Sequence, residues 1–214
     1  LRNGFAFREC RAFWLILFDG LAFLAFEKRF VALVGLPGSG KSTIGRHLAR
    51  RLGVPFQDSD HVIEQRIGCS IRTFFEREGE ERFRDLEQQV LAELTTGSGR
   101  GVLSTGGGSV LREANRVQLK QHCQVIYLRA LPEDVYRRLR HDRNRPLLQV
   151  DDPLQRLKDL FAARDPLYRD AAHYVVDTGR PSVATLVNMI MMQLDLGSSP
   201  GPSAAGEAPS PVAS

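Results

Sequence analysis

Residues Gly35-Leu36-Pro37-Gly38-Ser39-Gly40-Lys41-Ser42 follow a short apolar run, Phe30 to Val34, and precede a stretch with helical spacing in Ile44, His47, Leu48 and Leu52. Strand, glycine-rich loop and helix in that order constrain a chain strongly. The glycines let backbone N–H groups converge on phosphate oxygens at a helix N-terminus, where the helix dipole also favours an anion. Lys41 is then placed to reach the β and γ phosphates of a nucleotide, and the Ser42 hydroxyl to bind Mg²⁺. Gly38, Ser39, Gly40 and Thr43 complete the expected ATP-binding set. A glycine-rich turn that merely spelled the pattern would need neither flanking element.

The rest of the chain alternates in the same way. Phe56 to Asp58, Val102 to Ser104, Gln124 to Leu128 and Tyr174 to Val176 read as strands. Helical patterns lie between them: Asp60 to Ile67, Ile71 to Glu78, Glu80 to Leu94 and Leu111 to Gln121, punctuated by Gly68 and Gly79. Pro132 suits a first helical turn, Asp152 suits an N-cap with Gln155 three residues on, and Pro166 is expected to end that helix near Arg164. Such alternation predicts one parallel sheet covered on both faces, a three-layer α/β/α domain over residues 29–196.

Composition narrows the function. The chain has 214 residues, 43% of them hydrophobic and 25% charged, enough for one buried core. The net charge of +4 is half concentrated before Phe30, so no basic stripe argues for nucleic acid. Cys10, Cys69 and Cys123 are far apart without C-x-x-C spacing, which speaks against a disulfide scaffold or a zinc site and for reduced cysteines in a cytoplasmic protein. The apolar run Phe13 to Phe26 is shorter than the roughly 20 residues of a membrane helix, so no membrane partner is expected. No methionine precedes Met189. Residues 1–28 are read as an extension outside the fold, with translation starting near Lys28 to Val31; an amphipathic helix packed on the domain is the alternative. Residues 197–214, nearly all Gly, Ser, Pro and Ala, are expected to be a disordered tail.

Further candidates sit at strand ends. Asp58 and Asp60, two apart, share a face if the second strand persists, and point toward the crevice at the carboxyl edge of the sheet. One carboxylate could hold a Mg-bound water and the other accept a proton from an attacking hydroxyl, although capping the next helix would also suit Asp60. Thr105 leads into Gly106, Gly107 and Gly108, where missing side chains permit close approach to a ligand or simply a flexible turn. Arg84, with Glu80 four residues before and Glu87 three after, has the spacing of surface ion pairs. Arg145 closes an arginine-rich stretch from Arg137 and suits a mobile lid that neutralises charge on a transferred phosphoryl group.

Taken together, Gly35 to Ser42, Asp58-Ser59-Asp60, Phe83-Arg84-Asp85-Leu86-Glu87, Gly106 to Gly108, Arg145-Pro146-Leu147-Leu148 and Arg164-Asp165-Pro166-Leu167-Tyr168-Arg169 resemble the shikimate kinase family in order and approximate spacing. The resemblance implies a five-stranded parallel sheet in the order 2-3-1-4-5, a substrate-binding region after strand two, and a lid over ATP. It implies transfer of the γ-phosphate of MgATP to the 3-hydroxyl of shikimate, on the chorismate route to aromatic amino acids, by a monomer. By the same resemblance Asp60 binds the reacting hydroxyl, Asp58 acts through Mg-bound water, and Arg84 and Arg164 clamp the carboxylate. Gly106, Gly107 and Gly108 line the ring pocket with Phe75 and Phe83. Arg145 reaches the γ-phosphate, Arg138 stacks on adenine, and Arg180 with Pro181 matches the second adenine loop with a gap. A gluconate-type or nucleoside-monophosphate kinase, or a nucleotide-binding module without activity, are the alternatives.

Overall fold

Phe30–Val34 forms β1, and all five of its residues are buried. An uninterrupted apolar strand of this kind belongs at the centre of a sheet covered on both faces. In the computed structural model, which describes residues 30–97, 99–140 and 150–198, β1 pairs in parallel with β3 (Gly101–Ser104) on one side and β4 (Cys123–Arg129) on the other. The outer strands are β2 (Phe56–Asp58), beside β3, and β5 (Tyr174–Asp177), beside β4. The five-stranded order is therefore β2-β3-β1-β4-β5, as the resemblance implied.

The helices in chain order are α1 (Lys41–Leu52), α2 (Ser59–Ile67), α3 (Ile71–Thr96), α4 (Glu113–His122), α5 (Pro132–Leu139), α6 (Pro153–Ala171) and α7 (Val183–Ser198). The two-residue alternation of β1 sends Val31 and Leu33 to a core shared with Ile44 and Leu48 of α1 and Leu186 and Ile190 of α7. Phe30, Ala32 and Val34 face the opposite core, with Leu91 of α3, Leu119 of α4 and Tyr168 of α6. Two such layers leave the loops at the carboxyl ends of the strands free to form a site.

Three local expectations meet the structure differently. Gly79 does interrupt the long helical region, at φ 82° and ψ 172°, within the span of α3. Pro166 does not end its helix: α6 begins at the expected Asp152 cap, where the side chain accepts from Gln155 N at 2.9 Å, and runs through the proline to Ala171. The proline costs about 3 kcal/mol in a helix interior, and burial in the core of Tyr168 and Ala171, which lie beyond it, offsets that cost. Finally, the second strand stops at Asp58, so Asp58 and Asp60 do not share a strand face. Asp58, and not Asp60, caps α2 by accepting from Asp60 N at 3.2 Å, and Asp60 lies in the first helical turn.

Among the described residues no helix is long and apolar enough to cross a membrane, and Cys69 is a free thiol. The apolar run 13–26, the expected lid with Arg145, and most of the tail lie outside the described residues.

Candidate active site

A cleft of about 840 Å³ opens where β1, β2 and β3 end, with the loop 37–43 as its floor. Gly40 takes φ 99°, a left-handed conformation open to glycine, and its carbonyl accepts the first bond of α1 from Ile44 N at 2.9 Å. The N-terminus of a twelve-residue helix thus points into the cleft. Lys41, only 8% exposed, arches over the loop and donates to the carbonyls of Gly35 at 2.9 Å and Leu36 at 3.0 Å.

Ser42 donates to Asp58 Oδ2 at 2.7 Å, and its hydroxyl lies 3.3 Å from that of Ser104. Two hydroxyls and a carboxylate form an all-oxygen donor set suited to a hard cation such as Mg²⁺, which commonly uses few protein ligands beside phosphate and water. Asp60 also borders the cleft. Burial raises its carboxyl, as do Asp58, Glu87 and Glu64 nearby, against the lowering influence of Lys41; the result is a pKa of about 6.

The glycine triplet after β3 is the junction of the site. Gly106 N donates to Ser59 Oγ at 3.0 Å, tying the turn to the start of α2. A methyl group added to Gly106 would meet Asp60 Oδ1 at 2.5 Å; on Gly107 it would meet Pro37 Cδ at 2.7 Å, and on Gly108 Arg84 Nη1 at 2.5 Å. The turn therefore touches the candidate base, the phosphate loop and a guanidinium at three consecutive positions, and no larger residue fits without displacing one of them.

Arg84 is no surface residue. Its side chain is 11% exposed, donating to Glu87 Oε2 at 2.7 Å and to Glu80 Oε1 at 2.9 Å. Its guanidinium lies over the rings of Phe83 at 5.3 Å and Phe75 at 5.8 Å, so these phenylalanines form a platform for it, and Phe83 itself is buried. Burial opposes the charge on Arg84, and Glu87 and Glu80 more than offset that. Burial likewise raises the Glu87 carboxyl, while Arg84, Arg164 and Arg112 hold the rise down. Arg164 approaches from α6 and donates to the Gly107 carbonyl at 3.0 Å. Two guanidiniums from distant elements thus meet at one turn.

Of the turn and its two arginines only Gly107 lines the cleft itself; elsewhere along its wall Arg138 of α5 donates to the carbonyls of Thr178 and Gly179, beside Pro181, Ser182 and Val183. Arg180 is exposed and is not among the lining residues. Sequence reasoning passed over Ser104, Thr178 and Tyr168, and saw Glu87 only as an ion-pair partner. A polar residue at the carboxyl end of an apolar strand was the available signal for Ser104; nothing in the spacing marked Thr178.

Comparison with known proteins agrees with this geometry. The shikimate kinase family model matches residues 37–195. The shikimate kinase of Paracidovorax citrulli is 61% identical over 168 residues, covering 78% of this chain and 92% of that protein. That of Ralstonia nicotianae is 54% identical over 182 residues, covering 85% and 95%. Among solved structures, the shikimate kinase from Acinetobacter baumannii in complex with shikimate is 45% identical with a TM-score of 0.75, covering 82% of this chain and 97% of that one. A gluconokinase from Sinorhizobium meliloti, 16% identical with a TM-score of 0.52, shares the fold. Matches of this extent and identity leave one conclusion: the chain belongs to the shikimate kinase family.

Proposed function

We infer that this chain transfers the γ-phosphate of MgATP to the 3-hydroxyl of shikimate, giving shikimate 3-phosphate and ADP. The observation that carries the reading is the turn Gly106 to Gly108, packed against Asp60, the phosphate loop and Arg84 in succession, with Arg164 on the Gly107 carbonyl. A phosphate cradle alone would serve many alcohols. Two guanidiniums beside a carboxylate base select an acceptor that carries both an acid group and a hydroxyl.

In this reading ATP lies with its phosphates over residues 38–43 and its base between Arg138 and the wall at Pro181, with Arg180 at the rim. Lys41 leaves the carbonyls of Gly35 and Leu36 for the β and γ phosphates. Ser42 and Asp58 hold Mg²⁺, which when bound neutralises charge on the phosphate oxygens. Arg84 and Arg164 take the shikimate carboxylate and Gly106, Gly107 and Gly108 border its ring, with Phe83 and Phe75 supporting Arg84. Asp60, ionised above a pKa of about 6, orients the 3-hydroxyl and accepts its proton. Arg145 supplies positive charge to the γ-phosphate. We assign this work to residues 29–196, acting as a cytoplasmic monomer, with the free thiol of Cys69 in keeping with a reducing compartment.

A coupled assay of ADP release with shikimate, with gluconate and with no acceptor tests the reading. Release that depends on shikimate is expected. Equal release with gluconate, or release without any acceptor, would overturn it.

A further inference from the structure

Tyr168 stands one helical turn beyond Arg164 on α6, and its ring is fully buried. It stacks on Tyr127 of β4, with ring centroids 4.9 Å apart and planes 27° from parallel. Packing of this kind asks only for an aromatic ring. The hydroxyl plays a separate part, because it donates to the Gly107 carbonyl at 2.6 Å, the same oxygen that receives Arg164 Nη1 at 3.0 Å. One carbonyl oxygen has two lone pairs. One is taken by a phenol fixed in the core, the other by a long side chain with several rotatable bonds.

The carbonyls on either side of this one are bonded within the chain, Gly106 O accepting from Ser109 N at 3.2 Å and Gly108 O from Leu111 N at 3.0 Å, whereas the Gly107 carbonyl is held by the two side chains from α6. Tyr127 adds a second fastening, donating to Asp165 Oδ1 at 2.8 Å in the residue next to Arg164. Asp165 also pairs with Arg169 at 2.7 Å. Burial pushes the Tyr168 hydroxyl up to about 12, with the charge of Arg164 restraining the rise, so the phenol is a neutral donor at physiological pH.

From this arrangement we propose that Tyr168 is a positioning residue for substrate selection: its hydroxyl fixes the Gly107 carbonyl, and that carbonyl holds Arg164 ready for the substrate carboxylate. Without the hydroxyl, the glycine turn and the guanidinium lose their common anchor, and Arg164 spreads over more rotamers before the acid arrives. The inference rests on the shikimate kinase reading. It adds a residue that is fully buried and does not line the cleft.

Tyr168→Phe keeps the ring, the stack and the volume while removing the hydroxyl. The full chain and this variant are compared for KM with shikimate, KM with its neutral methyl ester, KM with ATP, kcat and thermal midpoint. Loss of one net hydrogen bond predicts a rise in shikimate KM of roughly 2- to 12-fold. The ester and ATP values should move far less, so that preference for the acid falls by a similar factor. In an Arg164→Ala background the same change should have no further effect on that preference, because the group being positioned is gone.

A wild-type chain that left shikimate unphosphorylated would overturn the functional reading and this one with it. If the wild type turns shikimate over, two results would overturn the positioning role alone. One is a Tyr168→Phe variant with a lower thermal midpoint and an unchanged preference for the acid. The other is an effect of equal size with and without Arg164.

Discussion

Gly108 presents its Cα to the Arg84 guanidinium so closely that an added methyl group would lie 2.5 Å from Nη1 and 2.6 Å from Nη2. Two residues earlier, Gly106 stands in the same relation to Asp60, at 2.5 Å from Oδ1 and 3.4 Å from Cγ. Both glycines lie outside the left-handed region, so alanine is resisted by neighbours and not by the backbone.

Alanine at these two positions should therefore separate binding from chemistry. Gly108→Ala displaces Arg84, which is anchored by Glu80 and Glu87 and cannot simply swing away. Shikimate KM should rise by roughly 10-fold or more, the scale of one hydrogen bond to a charged group, with kcat changing less. Gly106→Ala presses on Asp60 and should act chiefly on kcat. Steady-state kinetics with both variants would refute the arrangement if the two profiles were alike.

Lys41→Met is expected to lower kcat at least about 10²-fold, the loss typical of one donor aimed at developing charge. The fold should survive, since the bonds from Lys41 to Gly35 and Leu36 are to carbonyls of its own loop. Circular dichroism and a thermal scan would check the second half, and turnover near the wild-type rate would remove the loop from the mechanism.

The core strands and the phosphate loop were legible because each rests on local pattern, apolar runs, glycine spacing and a helix following at once, whereas the strand order came only from the family resemblance. Asp58 and Asp60 were legible as a pair and misread as a strand face, since nothing in three residues of strand says where pairing stops. Pro166 misled for a related reason. Local rules end the helix there, and the buried side chains of Tyr168 and Ala171, set by contacts far away in sequence, carry it on. Arg84 looked like a surface ion pair because its spacing to Glu80 is that of one. Only the fold reveals that Phe75, Phe83 and Gly108 enclose it. The triplet could be seen as permissive but not as a junction of three elements.

Asp60 ties activity to stability through pH. Its carboxyl is raised from 3.8 to about 6 in the folded chain, so between those values the folded state binds more protons than the unfolded one. Stability from this group consequently falls as pH rises through that window, by up to about 3 kcal/mol. Asp60→Asn, which carries no charge, should melt higher than wild type at pH 8 without nucleotide, and the gap should shrink toward pH 4. In the same variant kcat should drop about 10²-fold or more, and the wild-type decline in kcat/KM below a pH of about 6 should disappear. A variant that melts lower at pH 8 would show that Asp60 stabilises the fold.

The carboxylate clamp decides the choice of substrate, and its two arginines need different tests. Arg164→Ala is the simpler one, because Arg164 bonds to a backbone carbonyl, Gly107 O, that keeps its second donor in Tyr168. Removing one guanidinium from a bound carboxylate should cost on the order of 2 to 4 kcal/mol, roughly 30-fold to 10³-fold in kcat/KM for shikimate. Arg84→Ala would do the same and would also strand Glu87, a carboxylate 1% exposed. Breaking such a buried pair destabilises by about 3 to 5 kcal/mol, which would blur a kinetic reading. Replacing both, as Arg84→Met with Glu87→Gln, removes the stranded charge and leaves the apolar stem over Phe83. Each variant is measured with shikimate and with its methyl ester. The wild type should strongly prefer the acid, and Arg164→Ala and the paired replacement should each lose most of that preference while ATP affinity barely changes. Discrimination that persisted in both would mean that the carboxylate is held elsewhere, and the pocket around Gly107 and Gly108 would have to be assigned to another part of the acceptor.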